Sequence, residues 1–154
     1  MDNLFQSSGS AILVAGDSNG WYESGECHDV EICGNTFTDT CLSSMYQFCE
    51  GIISVCPVIP TPDVKMPYHK NIRIHHNVFD TPDTPVLYCL STDGLTFNDN
   101  IIYRSTCSEK WHPGQHLFNL THSRNVDIRD NTWVGLYSID MLTEDTCEDV
   151  HFEG

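Results

Sequence analysis

The sequence predicts an all-β chain: a solenoid of parallel strands with about five turns, several loop insertions and at most one short helix. Three observations carry this. A short template recurs four times with an asparagine in phase, an apolar run precedes each copy, and helical periodicity is nearly absent.

The template reads apolar, any residue, apolar, two residues, Asn, one residue, apolar. Its copies are Val30–Ile32–Asn35–Phe37, Ile72–Ile74–Asn77–Phe79, Leu95–Phe97–Asn100–Ile102 and Val126–Ile128–Asn131–Trp133. A fifth begins at Val150 and Phe152. The alternation before each Asn is that of a strand with one buried face. Preceding apolar runs are Ala11 to Ala15, Gly51 to Val55, Pro85 to Leu90, His116 to Leu120 and, less distinctly, Leu136 to Met141. The chain thus reads as two strands and two turns per unit. Thr40 to Glu50, with Leu42, Met45, Tyr46 and Cys49 at helical spacing, is the one window suited to a short helix.

A two-strand unit cannot bury its apolar face alone, whereas stacked units can. Stacking places Ile72 and Ile74 between Val30 and Ile32 on one side and Leu95 and Phe97 on the other. Five layers spaced by about 4.8 Å give a body roughly 24 Å tall. Each Asn is expected to take a left-handed conformation and to bond through its amide to the Asn one turn away. A β-sandwich with ordinary hairpin turns would instead need alternating antiparallel pairs. The predicted domain is single, residues 1–154, with incomplete first and last turns. Its exposed ends predict either self-association through an end or marginal stability. Insertions fall at Gly16 to His28, Thr36 to Pro67 and Arg104 to Gln115, where a solenoid's loops build a binding groove.

Seven Lys and Arg against 22 Asp and Glu give a formal charge of −15, which repels phosphate backbones and anionic membranes. Nucleic acid and membrane are therefore not expected as partners. No apolar run is long enough to span a bilayer, and the first residues lack the pattern of a signal peptide, which leaves the compartment open. Eight cysteines lie at 27, 33, 41, 49, 56, 89, 107 and 147, several beside apolar runs. Buried reduced thiols are the expectation. No C-x-x-C occurs, so spacing supports no zinc site, and no metal or cofactor is expected. Adjacent His75 and His76 are expected to point to opposite faces and to take no part in chemistry.

The loop after the first apolar run, Gly16-Asp17-Ser18-Asn19-Gly20-Trp21-Tyr22-Glu23-Ser24-Gly25, is the most site-like stretch. Aromatic faces stack on sugars while carboxylates accept their hydroxyl hydrogen bonds. Asp17, Trp21 and Glu23 are candidate sugar contacts, joined by Glu50 at the lip of the second apolar run. Asp17, Glu23 and Glu50 could supply the two carboxyl groups that glycoside hydrolysis needs.

Ala15-Gly16-Asp17, Trp21 to Gly25, Cys41 to Ser54, Tyr68 to Ile74 and Thr92 to Phe97 together resemble the exo-acting α-1,3-galactosidases of glycoside hydrolase family 110. The resemblance covers most of residues 9–134. It implies a right-handed parallel β-helix, a secreted or periplasmic location and a galactose-terminated glycan as partner. It also implies metal-independent removal of terminal α-1,3-linked galactose with inversion. Members of that family are several times longer, and this chain matches their C-terminal part. Their acid and base aspartates lie around an adjacent Asp pair upstream, and this chain contains no Asp-Asp. No catalytic residue is therefore assigned, and the chain alone is expected to be inactive. The other readings are a non-catalytic glycan-binding or structural β-helix and, more weakly, a polysaccharide lyase, for which basic residues are scarce.

Overall fold

Short β-strands separated by polar corners account for most of the described residues. A computed structural model describes residues 1–6, 9–17, 24–40, 50–59, 66–105, 116–135 and 141–154. Among the described residues there are fifteen strands and no helix. They fall into five circuits of three. The first holds β1 (Leu4–Gln6), β2 (Ile12–Val14) and β3 (His28–Cys33), and the second β4 (Thr36–Thr38), β5 (Ile53–Val55) and β6 (His69–His75). The third holds β7 (Val78–Thr81), β8 (Leu87–Leu90) and β9 (Thr92–Asn98). The fourth comprises β10 (Ile101–Arg104), β11 (Phe118–Thr121) and β12 (Arg124–Arg129), and the fifth β13 (Thr132–Val134), β14 (Leu142–Asp145) and β15 (Glu148–Phe152).

Each of three sheets takes every third strand: β1-β4-β7-β10-β13, β2-β5-β8-β11-β14 and β3-β6-β9-β12-β15. All pairings between named strands are parallel, which the sandwich alternative could not supply. Three strands per circuit replace the expected two. The residue after each template Asn opens a separate short strand of the first sheet, with the template's last apolar residue second in it. Its three or four residues are too few to register as a strand in the sequence. The fifth preceding strand also lies later than expected, starting at Leu142, and residues 136–140 lie outside the described residues. So does the interior of the expected helix, residues 41–49; Thr40 and Glu50, at its ends, are not helical.

The core register is the one the template dictates. Val30 pairs with Ile72 and Ile72 with Leu95, while Ile32 pairs with Ile74 and Ile74 with Phe97. Ile72, Ile74, Leu95 and Phe97 are all fully buried. In the first sheet Phe5, Phe37 and Phe79 stack with ring centroids 4.9 and 4.6 Å apart, an offset arrangement the ring quadrupoles favour.

At the corner between the third and first sheets, the asparagines form the expected ladder. Asn35 Nδ2 donates to Asn77 Oδ1 at 3.1 Å, Asn77 Nδ2 to Asn100 Oδ1 at 3.0 Å and Asn100 Nδ2 to Asn131 Oδ1 at 3.1 Å. Asn3 adds a rung below, donating to Asn35 Oδ1 at 3.0 Å. The left-handed residue is not the Asn, however, but its predecessor. Asp2, Gly34, His76, Asp99 and Asp130 have φ of 54° to 67°. That twist turns the chain through the corner and aims the Asn side chain inward, where it satisfies backbone groups that the corner leaves unpaired. A second left-handed column, Asp29, Asn71, Gly94, Asn125 and Asp149, runs through the third sheet. It puts two successive residues outward before the apolar alternation resumes, as a bulge does.

Candidate functional site

The loop singled out in the sequence hangs from the corner between the second and third sheets. Beyond β2 the chain continues through Gly16 to Asp17, which forms a parallel bridge with Val58, and Val58 N–H donates to Gly16 O at 2.8 Å. A Cβ at Gly16 would lie 2.7 Å from Gly25 O and 2.7 Å from Tyr68 Cε1. Only glycine fits, so the two ends of the loop meet here. Tyr68 holds them together, its hydroxyl donating to Ser24 O at 2.9 Å. Its own N–H reaches Ser91 O, also at 2.9 Å. Burial pushes the Tyr68 phenol up, and the negative charge of Asp17, Cys27 and Glu26 pushes it further, so it stays protonated and available as a donor.

Around this base lie Glu26, paired with Lys70 Nζ at 3.0 Å, and His69, fully buried with Nδ1 accepting from Cys27 N–H at 3.0 Å. That bond places the proton of neutral His69 on Nε2, which is buried and has no hydrogen-bond partner among the described residues. Burial holds the His69 pKa below its ordinary value. Asp17 is half-buried at the loop base. Trp21 and Glu23 lie outside the described residues. Tyr68 and Glu26 are the groups that sequence reading missed, although Tyr68 opens one of the blocks that carried the family resemblance.

Glu50 sits elsewhere. Asp17 aligns with Val58, past the C-terminal end of β5, whereas Glu50 is exposed ahead of the N-terminal end of the same strand. The two carboxylates thus occupy opposite ends of the second sheet. Gly51 next to Glu50 is as constrained as Gly16, since a Cβ there would lie 2.7 Å from both Tyr88 N and Ile53 O. Burial, then the charges of Glu50 and the thiols Cys56 and Cys89, push the Tyr88 phenol up to about 12.

The outer face of the third sheet carries a third group. Glu31 and Cys33 alternate onto the same side of β3, and Cys33 pairs in register with His75 of β6. One donor atom from each lies within 4.8 Å of the others. His75 Nε2 is 3.1 Å from Glu31 Oε1, and its Nδ1 is 2.9 Å from His76 Nδ1. The expectation that His75 and His76 point apart fails at this corner. The left-handed turn at His76, φ 54°, brings its ring back beside its neighbour. The hydrogen bond from His75 and the charge of Arg73 hold the Glu31 carboxyl below its ordinary range.

Five described cysteines, at 27, 33, 56, 89 and 147, are free; Cys33 and Cys89 are buried as expected, whereas Cys27, Cys56 and Cys147 are only half-buried. Burial pushes Cys89 up to about 11, which fits a small hydrophobe rather than a nucleophile. No helix of the described residues is long and apolar enough to cross a membrane.

No protein-family model matches the chain. Among curated proteins it is similar to α-1,3-galactosidase B of Bacteroides thetaiotaomicron, 49% identical over 130 residues, which is 84% of this chain and 21% of that protein. To α-1,3-galactosidase B of Akkermansia muciniphila it is 47% identical over 131 residues, 84% of this chain and 16% of the relative. The A-type relative from Bacteroides fragilis is 37% identical over 135 residues, 87% of this chain and 22% of its own length. The family resemblance read from the residues is thereby upheld: over 84% to 87% of its length the chain is similar to proteins named α-1,3-galactosidase A or B, and it spans about a fifth of the length of those relatives.

Proposed function

We propose that this stretch is a right-handed parallel β-helix that supplies part of a groove for glycans ending in α-1,3-linked galactose. The observation that carries it is the 49% identity to an α-1,3-galactosidase over 84% of the chain. The local geometry supports it, because Gly16, Gly25, Ser24 and Tyr68 fix the base of the loop that contains Trp21 and Glu23. In this reading Trp21 stacks on the sugar, and Asp17 and Glu23 accept its hydroxyl hydrogen bonds. Glu50 lines the groove at the far end of the second sheet. Hydrolysis with inversion needs an acid and a base about 6.5–9.5 Å apart, with water between. The 154 residues hold no adjacent Asp pair, so the chain binds the sugar without cleaving it, and the acid and base come from sequence outside it. Export from the cytoplasm accompanies this reading.

Calorimetric titration with methyl α-galactoside and with an α-1,3-linked galactose disaccharide tests the proposal. Binding that is lost on Trp21→Ala, with no release of chromophore from a nitrophenyl α-galactoside, is the expected result. Turnover by the 154 residues would overturn the division of labour, and absence of binding would leave a structural module.

The second part of the proposal concerns the ends. Among the described residues, each sheet ends on a strand of the first circuit at one side and of the fifth at the other. Met1 and Leu4 are 77% and 63% exposed at one end, and Val134 is 41% exposed at the other. Strand edges of this kind pair with further strands. Sedimentation velocity is expected to show mass rising with concentration, and a monodisperse monomer at all concentrations would refute it.

A further inference from the structure

We propose that Glu31 Oε, Cys33 Sγ and His75 Nε2 form a three-donor site for a borderline divalent cation, zinc in the first instance. A thiolate, an imidazole and a carboxylate are the donors zinc prefers over calcium or magnesium, which take oxygen alone.

Strand register builds the site. Residues 31 and 33 face the same way because strand side chains alternate, and the parallel pairing of Cys33 with His75 brings the third donor across one strand spacing. One donor atom from each residue, a ring nitrogen in the case of His75, already lies within 4.8 Å of the others, and His75 Nε2 is 3.1 Å from Glu31 Oε1. Tetrahedral coordination at about 2.0–2.3 Å per bond brings donors to roughly 3.3–3.8 Å apart, so closure needs about 1 Å of side-chain adjustment. Cys33, 7% exposed, comes from the backbone side, and half-exposed Glu31 closes from solvent. A fourth position is left for water.

His76 completes the arrangement as a positioning residue. Without metal, neutral His75 carries its proton on Nε2 and donates to Glu31 Oε1, while its Nδ1 accepts from His76 Nδ1–H. For Nε2 to bind a cation, His75 must carry its proton on Nδ1. His76 Nδ1, 2.9 Å away, then accepts that N–H and carries its own proton on Nε2. Each ring keeps one proton in both arrangements. Arg73 Nη2, 3.7 Å from Glu31 Oε1, remains a neighbour of the carboxylate.

The cation would clip the first circuit to the second rather than act on sugar. Cys33 closes β3 and Cys27 lies just ahead of it, so the site is roughly 20 Å along the strand direction from the Tyr68 corner. Metal-independent hydrolysis and a bound zinc ion are therefore compatible.

Cobalt and zinc titration of the chelator-treated, reduced 154-residue chain tests the site. One cobalt per chain is expected, with a thiolate-to-cobalt charge-transfer band that zinc abolishes. Zinc should also raise the midpoint of thermal unfolding, since a ligand of the folded state stabilises it. Cys33→Ser and His75→Gln should each eliminate the band although the seven cysteines other than Cys33 remain. His76→Ala, which keeps all three donors, should weaken binding about 10–100-fold, and His151→Ala should leave it unchanged. A band that survives Cys33→Ser, or no band in the unsubstituted chain, overturns the proposal. Should the variants lose their β-sheet circular dichroism, alkylation of the unsubstituted chain decides. One equivalent of zinc must shield Cys33 while leaving Cys27 reactive, and equal labelling of Cys33 with and without zinc refutes the site.

Discussion

Removing the Asn77 side chain is the sharpest test of what holds the circuits together. Asn77 is 1% exposed, and its amide makes five bonds. Oδ1 accepts from Asn35 N–H at 2.9 Å and Asn35 Nδ2 at 3.1 Å. Nδ2 serves Ile32 O and His75 O, both at 2.9 Å, and Asn100 Oδ1 at 3.0 Å. In Asn77→Ala the Asn35 N–H becomes a buried orphan, which costs about 1–3 kcal/mol. The Ile32 carbonyl loses a donor as well, whereas Asn100 Oδ1 keeps the Asn77 N–H at 3.0 Å. Two donors of Asn35 left without Asn77 Oδ1, and weakened acceptors at Ile32 O and His75 O, together predict a loss of about 2–5 kcal/mol, a large share of the roughly 5–15 kcal/mol a folded domain has. Asn3→Ala, at the exposed end rung, should cost only about 0.5–1.5 kcal/mol. Urea unfolding followed by circular dichroism, with equal m-values, measures both. Equal losses for the two variants, or less than about 1 kcal/mol for Asn77→Ala, would refute the ladder as a stabilising device.

Ile74→Ala empties a fully buried position between Ile32 and Phe97 and should cost about 2–5 kcal/mol in the same assay, whereas Arg73→Ala on the outer face should cost under about 1 kcal/mol. Gly16→Ala forces a Cβ against Gly25 O and Tyr68 Cε1, so limited proteolysis within residues 18–23 should accelerate and galactoside affinity should fall. Because His69 titrates lower when folded than its ordinary 6.5, the unfolded chain binds the extra proton first. Stability should therefore decline as pH falls below about 6.5 towards the lower folded value, and His69→Gln should flatten that slope. Asp29, Glu31 and Asp93 are held below their ordinary values, so their contribution is present above the unfolded values near 4 and is lost as pH falls further.

What the sequence made legible was whatever repeats along the chain. Alternation around Ile72 and Ile74, with Asn77 in phase, was enough to place the register of the third sheet residue by residue. The three-residue strands of the first sheet escaped notice because Thr36–Thr38 or Thr132–Val134 is shorter than any periodicity can resolve. Asn3 was overlooked as a rung because no apolar alternation precedes it. The Tyr68 clamp was hidden for a different reason: its partner, Ser24, is 44 residues away in sequence, and only stacking brings them together. Spacing rules for metal sites likewise count along one segment, whereas Glu31, Cys33 and His75 meet across neighbouring parallel strands. His76 defied the alternation rule because its left-handed backbone ends the strand there.

The unequal intervals of the ladder have an engineering consequence. Asn35 and Asn77 are 42 residues apart, Asn100 and Asn131 are 31, and Asn77 and Asn100 only 23. Every interval nevertheless contributes one strand to each sheet and one residue to each left-handed column. Residues 77–99 therefore amount to a minimal cassette, and the longer intervals are the same cassette with cargo attached at its corners. Tandem duplication of those 23 residues would lengthen the body by one layer, about 4.8 Å. Segments between strands could be exchanged between layers in the same way, because the scaffold counts layers and is indifferent to how many residues separate one strand from the next.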